Sequence, residues 1–330
     1  MFLQKTKQAV LNFGESLYQK GLTVHQKKMR EMKQLPSYES ARILSVGNLS
    51  CGGTGKTPLV MTLADYLSQA GKKVAVLTRG YGGDESQELR ERLKGVPVLV
   101  GKDRRKNAAI AVKNHGCDLL LLDDGFQHLA IRRDLDIVTV NATNPFGNGR
   151  MLPAGPLREP VAHLERANCF VLTQSFLGRR NVPSIRQKLH EINPTASIFE
   201  ADHAPQKLVD YRNGRTLPLD LVRGQKVATL AGIEDPGSFE NTVNRLGATI
   251  EYSARFKDHH AFTRSEINEV FKSCKDCRVR YLVTTSKDSY RLRRILHSKG
   301  RLPTRVLILQ IQLKLDDEEA FLGTCLGQQV

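Results

Sequence analysis

Tryptophan is absent from the 330 residues, aromatics make up only 6%, and the 34 acidic residues fall well short of the 50 basic ones. A nucleic-acid module built on stacking platforms needs aromatics interleaved with basic side chains, so no nucleic-acid partner is expected. No window reaches the roughly 18 to 20 apolar residues that cross a bilayer as a helix, and the first residues lack a signal peptide's apolar stretch. The chain is therefore expected to stay on the cytoplasmic side. Cysteines are few and scattered (51, 117, 169, 274, 277 and 325), which excludes a secreted disulfide framework. Only Cys274 and Cys277 have motif spacing, and a lone C-x-x-C lacks a full set of zinc ligands.

What is present is a 40% hydrophobic chain, enough for a core in one large or two ordinary domains at about 150 residues each. The net charge of +16 must meet an anion: nucleic acid, an acidic membrane surface or a phosphorylated substrate. The charge by itself does not choose among them.

Residues 1 to 40 read as a basic amphipathic helix. Leu3, Val10, Leu11, Leu17, Tyr18 and Leu22 recur on one stripe, with Lys5, Lys7, Lys20, Lys27, Lys28, Arg30 and Lys33 around it. Such a helix either lies on an anionic membrane or packs on its own domain with a solvated basic face. From residue 42 the pattern becomes strand, glycine-rich turn, helix. Apolar runs at 42–47, 73–78, 97–100, 118–122 and 136–140 alternate with helical segments, and the alternation resumes at 170–173, 226–230, 281–284 and 306–311. This predicts an α/β fold with a mostly parallel sheet flanked by helices. The proline- and glycine-bearing stretch at 205–225 divides a core at 41–210 from a smaller α/β lobe at 211–330, expected to close over the active site.

The strongest motif runs from Ser50 through Cys51, Gly52, Gly53, Thr54, Gly55, Lys56 and Thr57, directly after a strand and opening a helix. Backbone N–H groups there converge on phosphate oxygens, the lysine reaches the outer phosphates, and the threonine hydroxyl offers a magnesium ligand. The usual first glycine of the pattern is replaced by Ser50. A nucleotide loop also needs a carboxylate at a neighbouring strand end, which Asp123 and Asp124 supply after four leucines. Two further loops belong on the same rim, at 78–85 and 125–128, and polar loops at 146–149 and 155–160 are further candidates to lie over the strand ends. Arg79 and Arg158 are candidates to neutralise phosphate charge, and Asp84 to accept the proton of an attacking hydroxyl. Asp258-His259-His260 is a weak cluster by itself.

In this order, SVGNLSCGGTGKTP, TRGYGG, DE, LLDDGFQH, FGNGRMLPAGPLREP, DHH and TTSKD resemble the tetraacyldisaccharide 4′-kinases, from about residue 42 to 295. The resemblance implies a P-loop NTPase-like kinase that moves the γ-phosphate of ATP to the 4′-hydroxyl of tetraacyldisaccharide 1-phosphate, giving lipid IV-A. It further implies ATP on Ser50 to Thr57, with Lys56 on the outer phosphates and Mg2+ served by Thr57, Asp123 and Asp124. Asp84 and His259 become a base and its orienting partner, and Arg79, Tyr81, Glu85, Gln127 and His128 line the rim. The place implied is the cytoplasmic face of a bacterial inner membrane, peripheral or monotopic, with an anionic surface and no obligate protein partner. Here Gly83 runs straight into Asp84, Ser286 stands where glutamate is usual, and the N-terminal segment is more polar than the family's. The rival reading is a P-loop NTPase switch acting on a protein partner.

Overall fold

The computed structural model describes residues 2–32, 38, 40–80, 84–258, 260–296 and 302–327, without the side chains of 2–8, 84 and 85. The chain forms two compact units. One comprises residues 1–79, 92–203 and 313–330, and the other 80–91 and 204–312. The division is not a single cut at residue 210. Segment 80–91 belongs with the second unit and the C-terminal segment returns to the first, because the chain leaves along one long strand and comes back along another.

In the first unit, helix α1 (Phe2–Arg30) is followed by β1 (Arg42–Asn48), α2 (Lys56–Gln69), β2 (Val74–Thr78), β3 (Val98–Val100), α4 (Arg104–His115), β4 (Leu119–Asp123), β5 (Leu135–Asn141), β6 (Cys169–Thr173) and α5 (Val182–Ile192). Helix α3 (Asp84–Arg92) lies between β2 and β3 in sequence. The strand order is β7-β6-β5-β1-β4-β2-β3, where β7 is Ser197–Asp210. β1 pairs in parallel with β4 (Ile43 opposite Leu120) and with β5 (Val46 opposite Ile137). The first leucine run is buried on both faces, so Leu120 and Leu122 join Ile43, Ala75 and Ala108 in one cluster. On β5 and β6, Val138, Val140, Phe170 and Leu172 join another cluster with Ile185 and Leu189 of α5. Each fully buried leucine of this kind contributes about 1.5–3 kcal/mol.

The second unit repeats the scheme with β9 (Lys226–Ala231), α6 (Pro236–Arg245), β10 (Thr249–Arg255), α7 (Arg264–Asp276), β11 (Tyr281–Thr285), α8 (Ser286–Arg293) and β12 (Arg305–Leu315). Its order is β10-β9-β11-β12-β7, and β8 (Thr216–Leu217) pairs antiparallel with β7. α7 begins with a reciprocal cap between Thr263 and Glu266. The final helix, α9 (Glu318–Leu326), belongs to the first unit. The stretch read as a divider is in its first part the second half of β7. Its polar residues and Pro205 hide a strand whose Leu208 and Asp210 are buried while Gln206 is exposed.

The single apolar stripe expected on α1 splits in two. Leu11, Tyr18 and Leu22 are half-buried and Met29 is buried, whereas Val10 (65% exposed), Phe13 (73%), Leu17 (62%) and Val24 (71%) face outward.

Candidate active site

The site lies where β1 ends and α2 begins. Gly47 has no room for a side chain, since a Cβ there would stand 2.5 Å from Phe126 Cβ. Gly55 sits in the left-handed region at φ 80° as the residue before α2, and its Cβ would meet Thr173 Cγ2 at 3.1 Å. No side chain caps α2 and no acid occupies its first turn. Its positive end is thus left for an external anion. The loop is pinned from its strands: the hydroxyls of buried Thr54 and Thr139 are 2.8 Å apart, and Thr173 donates to the Thr54 carbonyl at 3.0 Å.

Around this loop four side chains form one array. Lys56 Nζ donates to Asn48 Oδ1 at 3.2 Å and stands 3.7 Å from Asp124 Oδ1. Arg158 grips Asp124 with both terminal nitrogens at 3.0 Å, donates to the Ser50 carbonyl at 3.3 Å, and also donates to Asn48 Oδ1. Asn48 in turn donates to the Ser50 carbonyl at 2.7 Å. Asp124 has φ 54°, which turns its carboxylate off the strand line toward these cations. Burial alone would raise the Asp124 pKa, but Lys56 and Arg158, helped by Arg104, hold it below the usual carboxylate value. The array is only partly shielded, with side-chain exposures of 16% for Lys56, 28% for Asp124 and 20% for Arg158. Its ion pairs can therefore exchange for an incoming phosphate.

Asp123 is oriented differently. It is 3% exposed, its Oδ2 accepts from the Thr78 hydroxyl at 3.0 Å, and buried Arg104 donates to its backbone carbonyl at 2.9 Å. Gln127 donates to the Asn48 carbonyl at 2.9 Å. Burial, with Arg104 and Arg133 nearby, brings the His128 pKa down to about 4, so its ring is neutral at pH 7 and adds no positive charge to the rim. Arg79 is exposed just beyond β2. Asp84 and Glu85 open α3, and their side chains lie outside the described residues, as do Tyr81 and His259. The segments carrying Asp84 and His259 both belong to the second unit. Beside His259, Asp258 pairs with Lys287 at 3.3 Å and His260 with Glu266 at 3.0 Å.

The structure brings Ser50 to Thr57, Asp124, Gln127 and Arg158 together. Sequence reading missed Asn48 and Arg104, and placed Thr78 on the rim without assigning it a partner. Asn48 was legible as a polar residue ending a buried strand, while Arg104 carries no local signal. Among the described residues no three His, Cys, Asp or Glu side chains form a metal cage. Magnesium at phosphate sites takes only one or two carboxylates with a hydroxyl and the phosphates themselves, so the hard oxygens of Thr57, Asp123 and Asp124 fit that ion chemically. Cys274 is buried with its thiol pushed up to about 11 by that burial, which makes it an unreactive packing group.

The family model for tetraacyldisaccharide-1-P 4′-kinase matches residues 8–90 and 82–328. The chain belongs to this family. A tetraacyldisaccharide 4′-kinase of Syntrophobacter fumaroxidans is 38% identical over 298 residues, covering 83% of this chain and 77% of the relative. One from Anaeromyxobacter sp. (strain Fw109-5) is 40% identical over 273 residues, covering 76% and 73%. Among solved structures, the "apo" form of LpxK from Aquifex aeolicus in complex with ATP aligns at a TM-score of 0.72 and 27% identity, over 98% of this chain and 99% of that one. As a member of the tetraacyldisaccharide 4′-kinase family, the chain is a phosphotransferase of that kind.

Proposed function

We propose that the array around residues 48–57, 124 and 158 binds ATP and directs its γ-phosphate to the 4′-hydroxyl of tetraacyldisaccharide 1-phosphate, the step that yields lipid IV-A. The observation that carries this reading is the convergence of Arg158 and of Lys56, the first residue of a helix with no side-chain cap, on one exchangeable carboxylate. Phosphoryl transfer asks a protein mainly for positioning and charge stabilisation. Lys56 leaves Asp124 for the outer phosphates, and Arg158 holds charge that develops on the transferred group. The loop amides of residues 50–57 fix the phosphate chain. Magnesium, held by Thr57 with Asp123 and Asp124, would supply further charge neutralisation. Asp84 takes the proton of the 4′-hydroxyl and His259 orients it, a pairing supported by their motifs.

The substrate's acyl chains and phosphate imply a membrane surface. Among the described residues no helix is long and apolar enough to cross a membrane. α1 instead offers Val10, Phe13, Leu17 and Val24 on its outward side, with exposed Lys20, Lys27 and Lys28 on the same helix. This supports peripheral or monotopic binding to the anionic cytoplasmic face of the inner membrane.

The test is transfer of labelled γ-phosphate from ATP to tetraacyldisaccharide 1-phosphate in detergent micelles, with wild type beside Lys56→Ala. Labelled lipid from wild type, falling about 10²–10³-fold in the folded variant, is the expected result. Nucleotide hydrolysis stimulated by a protein and indifferent to lipid would support the switch reading instead.

A further inference from the structure

The inward side of α1 does not merely pack; it is bonded to the segment that carries Arg158. Glu15 accepts from Arg150 Nε at 3.0 Å and Nη2 at 2.5 Å, and from the backbone N–H of Met151 at 2.7 Å. Those contacts hold the Glu15 carboxyl below its usual pKa, the Met151 amide foremost. Asn12 accepts from the same guanidinium at 2.6 Å. One turn along, the Tyr18 hydroxyl donates to the carbonyl of Arg158 itself at 3.0 Å. Two turns further, Gln26 donates at 2.8 Å to Glu159, which is fully buried and also held by Arg166.

The anchored segment is a loop closed by a parallel bridge between Met151 and Leu157: the Leu157 amide donates to Arg150 carbonyl at 3.1 Å and the Leu152 amide to Leu157 carbonyl at 2.9 Å. Its second half lies along the start of the phosphate loop. The Arg158 amide donates to Leu49 carbonyl at 2.8 Å, and the Cys51 amide to Pro156 carbonyl at 2.7 Å. Ser50 and Leu157 form an antiparallel bridge between them. A continuous path of hydrogen bonds thus runs from α1 through residues 150–158 into residues 49–51 and the Arg158 guanidinium.

From this path we infer that Glu15 and Tyr18 are positioning residues for the nucleotide site, so that α1 sets the phosphate loop and Arg158 from its inner face while its outer face remains available to a surface. The inference rests on the nucleotide reading of that loop. A helix serving only as an anchor would need no charged grip on the loop at 150–158, and its loss would be felt in membrane attachment alone. Here the grip holds the strand partner of the phosphate loop, so its loss is felt in ATP binding even where no membrane is present.

The experiment measures equilibrium binding of Mg-ATP to the full chain, then steady-state kinetics in detergent micelles, for wild type, Glu15→Gln, Arg150→Gln and the double variant. Each single change should weaken ATP binding and raise the KM for ATP by about fivefold. The double variant should be no worse than either single one, since both remove the same grip. The KM for lipid and sedimentation with anionic vesicles should not move. Should Glu15→Gln lower the thermal midpoint of the whole chain, Tyr18→Phe, which deletes one hydroxyl, carries the test with the same expected shift in ATP affinity. Unchanged ATP affinity in these variants, or effects confined to lipid KM and vesicle binding, would overturn the inference. A wild-type chain that binds no ATP would instead remove the nucleotide reading beneath it.

Discussion

Two rims of this molecule are built from the same ingredients and end up with opposite properties. In the first unit, Asp124 follows β4 and is gripped by Arg158 and Lys56, all three partly open to solvent. In the second, Asp288 follows β11 and is paired with Arg291 at 3.0 Å, with side chains 0% and 4% exposed. Asp288 also accepts from the Gly232 amide at 3.0 Å and the Thr285 hydroxyl at 2.7 Å, while Arg291 donates to the Gly232 carbonyl at 2.7 Å. Its lone pairs are spent inside the fold. An acid and an arginine at the end of a parallel strand are therefore not a site in themselves. What makes one is exposure enough for partners to change.

The largest separation between the rims should come from Asp288→Ala. Removing it leaves Arg291 buried without its counter-charge, at a cost of about 3–5 kcal/mol in chemical unfolding, while the intrinsic ATP affinity of the folded fraction stays as in wild type. A loss of ATP affinity without loss of stability would erase the distinction drawn here. Arg158→Met should do the reverse, lowering kcat about 10- to 100-fold with little change in unfolding midpoint, as steady-state assays would show. It also has a pH signature. Asp124 is held below its usual pKa in part by Arg158, so its ionised form persists as pH falls; without that cation its pKa rises. The acid limb of the activity profile should accordingly move to higher pH in the variant, and an unmoved limb would detach Asp124 from the reaction. The smallest change belongs to neither rim. Phe13→Ser should weaken sedimentation with anionic vesicles by about fivefold, an effect that grows with added salt as lysine contacts are screened.

Much of the fold could be read in advance because its strands are short, continuous apolar runs closed by glycine or polar turns. DLLLLDD at 118–124 and RILSVG at 42–47 are examples, and both fall in the central parallel strands. The second half of β7 could not be read so easily, since its surface is mixed and a proline interrupts it. Thr249–Arg255 was missed for the same reason, as an edge strand with only Ala254 buried. α1 was legible as a basic amphipathic helix, and the two readings open for it concern its two different faces. Periodicity gave Val10 and Leu17 one direction with Leu11 and Tyr18, yet neighbouring positions on a helix stand about 100° apart, enough to divide inward from outward.

The phosphate loop was determined by sequence alone. Glycines that permit φ values closed to other residues, a strand before and a helix after lie within a dozen positions, so local backbone preference suffices to make it. The paired acids after four leucines were determined in the same way. Tertiary structure decided the rest: that Arg158 returns to Asp124 and Asn48, that Thr78 and Arg104 claim Asp123, that the His128 pKa is pushed down by burial, and that α1 grips the segment 150–158 beside the phosphate loop. The physical reason is range. Torsional preferences act between adjacent residues, whereas charges far apart in the chain meet only where strand order and burial bring them, and burial then sets which of them can still exchange partners.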